Sequence, residues 1–192
     1  MSLLQKIKSL SGSYSTHTIS VRRHLHAHPE LSYQEFQTVK FVAEQLNALG
    51  IESETMATTG LVAEIKGKHP EKKTIALRAD MDALPILEEN DVVYKSKNQG
   101  VMHACGHDVH TSSLVTTARI LHEVRDEFEG TVRLLFQPGE EKNPGGASYM
   151  IRDGALENPR PSAILGQHVF PGQIAVRLVV PNVLPTLFVK KG

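Results

Sequence analysis

The sequence predicts an α/β protein built in layers, and three observations carry that expectation. Segments with apolar residues at helical spacing alternate with short apolar runs of strand length. The 192 residues, 40% of them apolar, are enough to bury one core. Polar clusters follow directly on three of the strand-like runs, which is where open α/β sheets collect ligands.

The elements follow in order. Ser32-Tyr33-Gln34-Glu35 reads as a capping box, serine and glutamate satisfying each other's free backbone donors at a helix start. Phe36, Val39, Val42, Ala43, Leu46 and Leu49 then recur at helical spacing, and Gly50 supplies the stop. Residues 61–65 and 74–79 read as strands joined by the polar turn Gly67-Lys68-His69-Pro70. A second helix is expected over 108–125, burying Leu114, Val115, Ala118, Leu121 and Val124. The apolar run 131–137 reads as a buried strand, and 148–152 as a brief helix closed by Gly154. Strands at 163–165 and 174–178 complete the set, with no repeat and no low-complexity linker.

Composition narrows the function classes. The 21 basic and 21 acidic side chains cancel, and no basic run stands out. Neither a nucleic-acid groove nor an anionic membrane is therefore expected as partner. The first residues lack a long apolar core and a small-residue cleavage site, so no signal peptide is read, and no apolar run approaches bilayer length. A single cysteine excludes an intramolecular disulfide and a four-cysteine zinc site, and it fits a reducing cytoplasm.

That cysteine, Cys105, lies in Met102-His103-Ala104-Cys105-Gly106-His107-Asp108-Val109-His110. A thiolate and imidazoles in one short glycine-containing segment are the donor chemistry of a zinc-like ion. Cys105 is then a ligand, a nucleophile or an inert buried thiol. Asp80-Met81-Asp82 follows one strand; aspartates two apart on extended chain point to one face, although strand-end residues often carry no function. Glu140 and Glu141 follow another strand through a Pro-Gly turn. Neighbours on extended backbone point in opposite directions, so one can bind a metal while the other reaches a water. Gln167-His168 follows a third strand. His24, His26 and His28 spread around a helix and read as structural or supporting groups, as do His103 and His122. His110, three residues beyond His107, is the exception most open to ligation.

Five segments carry a family resemblance: RRHLHAHPELSYQEF, ALRADMDALPI, GVMHACGHDVHTS, LLFQPGEE and GQHVFPGQIAVR, in that order from Arg22 to Arg177. They resemble the metal-dependent amidohydrolases of the zinc peptidase and aminoacylase type. That family includes hippurate hydrolase, N-acyl-amino-acid deacylases, N-acetyldiaminopimelate deacetylase and auxin-conjugate hydrolases. The resemblance implies a three-layer α/β/α catalytic domain with a mixed, mostly parallel sheet, incomplete at its C-terminal end. It implies that Cys105, His107, Glu141 and His168 ligate two divalent ions, zinc or manganese. Glu140 is then the general base, and Asp82 orients a ligand; Asp80 matches the motif without an assigned role. The implied substrate is a small N-acyl amino acid. Residues 1–178 would be the N-terminal part of the catalytic domain. The tail 179–192 would stand where a lid and dimerisation domain begins, through which such enzymes are often homodimeric. That lid and a later histidine ligand have no counterpart here.

Two other readings remain open at this point. A thiol hydrolase would use Cys105 as nucleophile with His103 or His107 as base, but leaves the paired glutamates without a role. An inactive chain would bind metal without turnover. A zinc deaminase is excluded, since its paired-cysteine motif is absent.

Overall fold

A computed structural model describes residues 1–170; the strand expected at 174–178 and the tail 179–192 lie outside the described residues. The chain opens with two helices, α1 (Leu3–Ser13) and α2 (Ser15–Ala27). A capping box does occur, but at Ser2 and Gln5, where it starts α1.

Helix α3 (Phe36–Asn47) begins where the apolar spacing placed it, by a different device. Ser32 and Glu35 do not form a capping box. Ser32 donates its hydroxyl to Asp82, and Glu35 is fully buried, accepting from Thr59 and from the Gly139 amide. The α3 amides of Gln37 and Thr38 donate instead to the Glu30 carboxylate. Phe36 is exposed, while Val42 and Leu46 are buried.

Strands β1 (Ser53–Met56) and β2 (Gly60–Lys66) form an antiparallel hairpin; β3 (Thr74–Asp80) follows. Helix α4 (His107–Glu123) leads through a short 3-10 turn to β4 (Thr131–Gln137). Helix α5 (Gly146–Arg152) and β5 (Ile164–Gly166) close the described chain. The sheet order is β1-β2-β4-β3-β5. Strand β3 runs parallel to β4 and β5, whereas β2 is antiparallel to both β1 and β4. The sheet is mixed as expected, but parallel pairing accounts for half of it among the described residues and not for most.

Both faces of the sheet are used. On one, Leu61, Ala63, Ile65, Val132, Leu134 and Phe136 pack against Val42 and Leu46 of α3 and Leu114, Val115 and Ala118 of α4. On the other, the alternating residues Val62, Ala76 and Leu135 meet Met150 of α5 and Ala155. Arg133 shares this second face. It pairs with Glu64 and donates to the Ala155 and Glu157 carbonyls, tying the end of α5 to the sheet.

The connections place the site. From β3 the chain crosses one face as α4 to reach β4, then crosses the other face as α5 to reach β5 on the far side of β3. Strand β3 is therefore a switch point, and the crevice beyond its carboxyl end lies between diverging connections. Among the described residues, no helix is long and apolar enough to cross a membrane.

Candidate metal centre

All three parallel strands end at the same rim. Asp80 closes β3, Gln137 closes β4, and Gln167 and His168 follow β5. The fourth contributor is the start of α4, where Gly106 adopts φ 86°, a left-handed conformation that glycine takes without penalty. His107 is then the first residue of the helix. The Thr111 hydroxyl, one turn further on, donates to the Asp80 carbonyl and fixes the helix against the strand end.

Asp82 organises the centre. It is buried, and its Oδ1 stands 3.2 Å from His107 Nδ1. Its Oδ2 accepts from Ser32 at 2.6 Å and from the Glu141 amide at 3.0 Å. Burial works against the charged form of Asp82, yet the hydrogen bonds from His107, Ser32 and the loop amides hold its pKa below the ordinary carboxylate value. An ionised carboxylate only accepts, so His107 Nδ1 carries the proton and Nε2 keeps its lone pair. That Nε2 is buried without a hydrogen-bond partner, 3.7 Å from Asp80 Oδ2 and 3.8 Å from Glu141 Oε1. A buried lone pair facing carboxylates calls for a positive charge. Consistently, although burial lowers it, the hydrogen bond to Asp82 and the charges of Asp80, Asp82 and Glu141 raise the His107 pKa.

Three groups of donors share His107, and two of them hold the residues expected as ligands. Cys105, His107 and His168 place one ligand atom each within 4.8 Å of one another, and so do His107, Glu140 and Glu141. Donors about 2.0–2.3 Å from a shared ion stand no more than about 4.6 Å apart, and the Cys105–His168 and His107–Glu141 separations of 3.3 Å and 3.8 Å lie inside that limit. Cys105 Sγ is 3.3 Å from His168 Nε2, and His168 Nδ1 donates to the Val169 carbonyl at 2.6 Å, leaving Nε2 free to coordinate. All four residues named as ligands therefore lie in one place. The donor set of sulfur, imidazole and carboxylate fits divalent metal ions.

The glutamates differ from expectation in one respect. The chain bends after β4 and is not extended at Glu140 and Glu141, so both carboxylates reach the His107 group and neither points away. The bend is held by Glu35, through the Gly139 amide, and by Asp82, through the Glu141 amide. Gly139 has φ 54°, and a Cβ there would strike the Tyr33 ring. Beside Glu140 and His168 opens a cavity of about 520 Å³, walled by Leu135, Met150, Leu156 and Ile164 with Arg78 at its polar side.

Cys105 is ill suited to nucleophilic attack. Burial, with the Glu141, Asp80 and Glu140 carboxylates nearby, pushes its thiol up to about 12. A reactive cysteine needs the opposite surroundings, whereas a cation in place of the proton reverses this penalty. His103, the other proposed base, is deeply buried with neither ring nitrogen partnered, and burial holds its pKa down to about 4. Of the other histidines, His110 borders the centre beside His107 and His168, whereas His24 and His26 lie away from it. His26 is buried between Asp108 at 2.8 Å and Glu88 at 3.0 Å, and His24 stacks on Phe41.

Sequence reasoning missed several supports of the centre. Arg78 pairs with Asp80 at 2.7 Å and donates to Gln137, bridging the ends of β3 and β4. Ser32 and Glu35 have the spacing of a local cap, and nothing in the linear pattern signals their distant partners. For Arg78 a signal existed, since it lies two residues before Asp80 on the same strand face.

Fold and site together define an α/β domain whose sheet rim gathers side chains of metal-ligating type. Comparison with known proteins supplies the particular family: residues 76–183 match peptidase family M20/M25/M40, and the chain belongs to it. It is similar to an N-acyl-L-amino acid amidohydrolase of Geobacillus stearothermophilus, 46% identical over 167 residues that cover 86% of this chain and 44% of that protein. It is also similar to an N-acetyl-L-cysteine deacetylase of Bacillus subtilis, 48% identical over 84% of this chain and 38% of the relative. A Bacillus subtilis structure described as a dinuclear metal binding peptidase of the M20 family superposes with a TM-score of 0.79. It is 45% identical and is matched over 84% of this chain and 45% of its own. Human carnosine dipeptidase 1, 12% identical with a TM-score of 0.66, shares the fold. The chain spans less than half the length of these relatives.

Proposed function

We propose that this chain forms the metal-holding part of an enzyme that hydrolyses the amide bond of small N-acyl amino acids. Cys105, His107, Glu141 and His168 would hold two divalent ions, and Glu140 would be the general base. The observation that carries this reading is the buried, unpartnered His107 Nε2, around which a thiol, a second imidazole and two carboxylates gather. The names of the similar amidohydrolase and deacetylase support the substrate class. Residues 1–178 would be the N-terminal part of the catalytic domain.

Divalent ions held there by Cys105, His107, Glu141 and His168 would supply Lewis acidity, which lowers the pKa of water and polarises a carbonyl. The chain's own groups do the rest. Asp82 keeps the His107 proton on Nδ1 and, through the Glu141 amide, holds the glutamate loop in place. Glu140, exposed at the rim, accepts a proton from water as its oxygen bonds to the carbonyl carbon. The same proton passes to the nitrogen as the C–N bond breaks, giving a carboxylic acid and an amine. Thiol and imidazole donors favour zinc, and the carboxylates admit manganese. A single thiol fits a reducing compartment such as the cytoplasm.

The test pairs metal analysis with hydrolysis of benzoylglycine and acetyl-amino acids by one purified sample. The proposal expects metal uptake by the wild-type chain. Glu140→Gln is expected to keep the metal and lose turnover by several orders of magnitude. Metal loss in that variant would make Glu140 a ligand and overturn its role as base. A second reading is metal binding without turnover. It predicts metal uptake with every substrate left intact.

A further inference from the structure

His110 has the composition of a ligand and the wiring of a strut. It is fully buried on α4, three residues beyond His107, and Asp80, His107 and His110 form a third cluster with metal-ligand spacing. Both of its nitrogens are already engaged. Nδ1 lies 2.6 Å from Asp80 Oδ1, and Nε2 accepts the Val169 amide proton at 2.9 Å. A carboxylate on one side and an N–H on the other fix a single tautomer, with the proton on Nδ1 and no lone pair to spare.

Val169 is the link that matters. Its N–H is held by His110, and its carbonyl, in the next peptide unit, accepts the proton of His168 Nδ1. Metal-binding histidines generally have the non-coordinating nitrogen fixed by such a partner, which sets the ring's direction. Here the partner residue is itself fixed by a second imidazole. The His110 and His168 rings stand 4.7 Å apart at a 67° tilt, so the two pack directly.

Two further contacts bind the same segment to α4. Gln167 Nε2 donates to Ser113 Oγ at 3.0 Å. The Val169 side chain also covers Gly106 so closely that a Cβ there would run into its Cγ2. The segment that leaves β5 is thus docked along the start of α4 at three points, of which His110 is the buried one.

We propose that His110 is a positioning residue that orients His168 toward Cys105 by holding the Val169 amide, and that it is not itself a metal ligand. The proposal rests on the metal-centre reading for its consequence, though not for its geometry. Two substitutions separate the two hydrogen bonds. His110→Asn places an amide NH2 near the former Nδ1 and loses the acceptor for Val169. His110→Gln places a carbonyl oxygen near the former Nε2 and loses the donor to Asp80.

The experiment has a metal-free arm and a zinc arm. In the metal-free chain, NMR reads hydrogen exchange of the Val169 amide. It is expected to be slow in wild type and His110→Gln and fast in His110→Asn. In the zinc arm, competition with a chromophoric chelator gives affinity, with His168→Ala and Cys105→Ser as references. His110→Asn is expected to weaken zinc binding by about 10- to 100-fold, approaching His168→Ala, with His110→Gln close to wild type. Equal loss in both variants would mean that His110 only fills space or is a ligand, and wild-type exchange in His110→Asn would remove the strut outright. If His168→Ala and Cys105→Ser leave zinc affinity unchanged, the metal-centre reading falls, while the amide exchange still decides the role of His110.

Discussion

Glu35 shows how a single residue supports the centre from outside it. It is fully buried, and its two oxygens accept from the Thr59 hydroxyl at 2.6 Å and the Gly139 amide at 2.7 Å. Burial raises its pKa above the ordinary value of 4.5, outweighing the hydrogen bonds that lower it. The folded chain therefore retains a proton that the unfolded chain has released. Stability from this group is complete below pH 4.5 and declines as pH rises through the raised folded value. Glu35→Gln keeps the shape and is expected to remove that decline, read as the urea midpoint across the interval above pH 4.5. Glu35→Ala strands two donors, at a cost of about 1–3 kcal/mol for each buried group left unpaired. The same residue marks where sequence reasoning stopped. Ser32 and Glu35 have the spacing of a cap, and a local pattern cannot reveal that Asp82, Thr59 and Gly139 compete for them.

Among the elements, β4 is the one on which both layers depend. All seven of its residues are buried, between a β2 partner on one side and β3 on the other. Its even-numbered positions Val132, Leu134 and Phe136 enter the α3–α4 core, and Leu135 faces α5. Leu134→Ala is expected to cost about 2–5 kcal/mol, measured as a lowered urea midpoint with an unchanged slope. A loss under ~1 kcal/mol would mean that the α4 layer carries little of the stability. This strand was legible because a seven-residue segment with four large apolar side chains, bounded by Gly130 and Pro138, has few other fates. Helix α4 was legible for a similar reason, its apolar spacing lying within a residue or two of the observed bounds. Strand β1 was not, since Ser53-Glu54-Thr55-Met56 is a mostly solvated edge with no buried face to leave a pattern. Among the described residues parallel pairing makes up half of the mixed sheet, because strand direction depends on connections. The β1–β2 hairpin and the β2–β4 pairing reverse that direction without any mark in composition.

At the scale of the molecule, the chain is a switch-point sheet whose carboxyl rim concentrates the chemistry. The four polar clusters were legible as separate signals, each beside a strand end or helix start. Their convergence followed from the α/β layering and needed no local cue. Asp82, which touches Ser32, His107 and Glu141 at once, is where residues from four segments become a single centre. The wiring behind that centre, through Glu35, Arg78 and His110, arises only when those segments meet. Membership of peptidase family M20/M25/M40 and likeness to a dinuclear metal binding peptidase agree with this architecture. The central claim is that Cys105, His107, Glu141 and His168 share metal. X-ray absorption at the zinc edge, on the purified chain loaded with zinc, tests it most directly. We expect one sulfur neighbour at about 2.3 Å with nitrogen and oxygen at about 2.0–2.2 Å, and loss of the sulfur shell in Cys105→Ser. Zinc held by nitrogen and oxygen alone in the wild-type chain, or no zinc retained, would contradict the account.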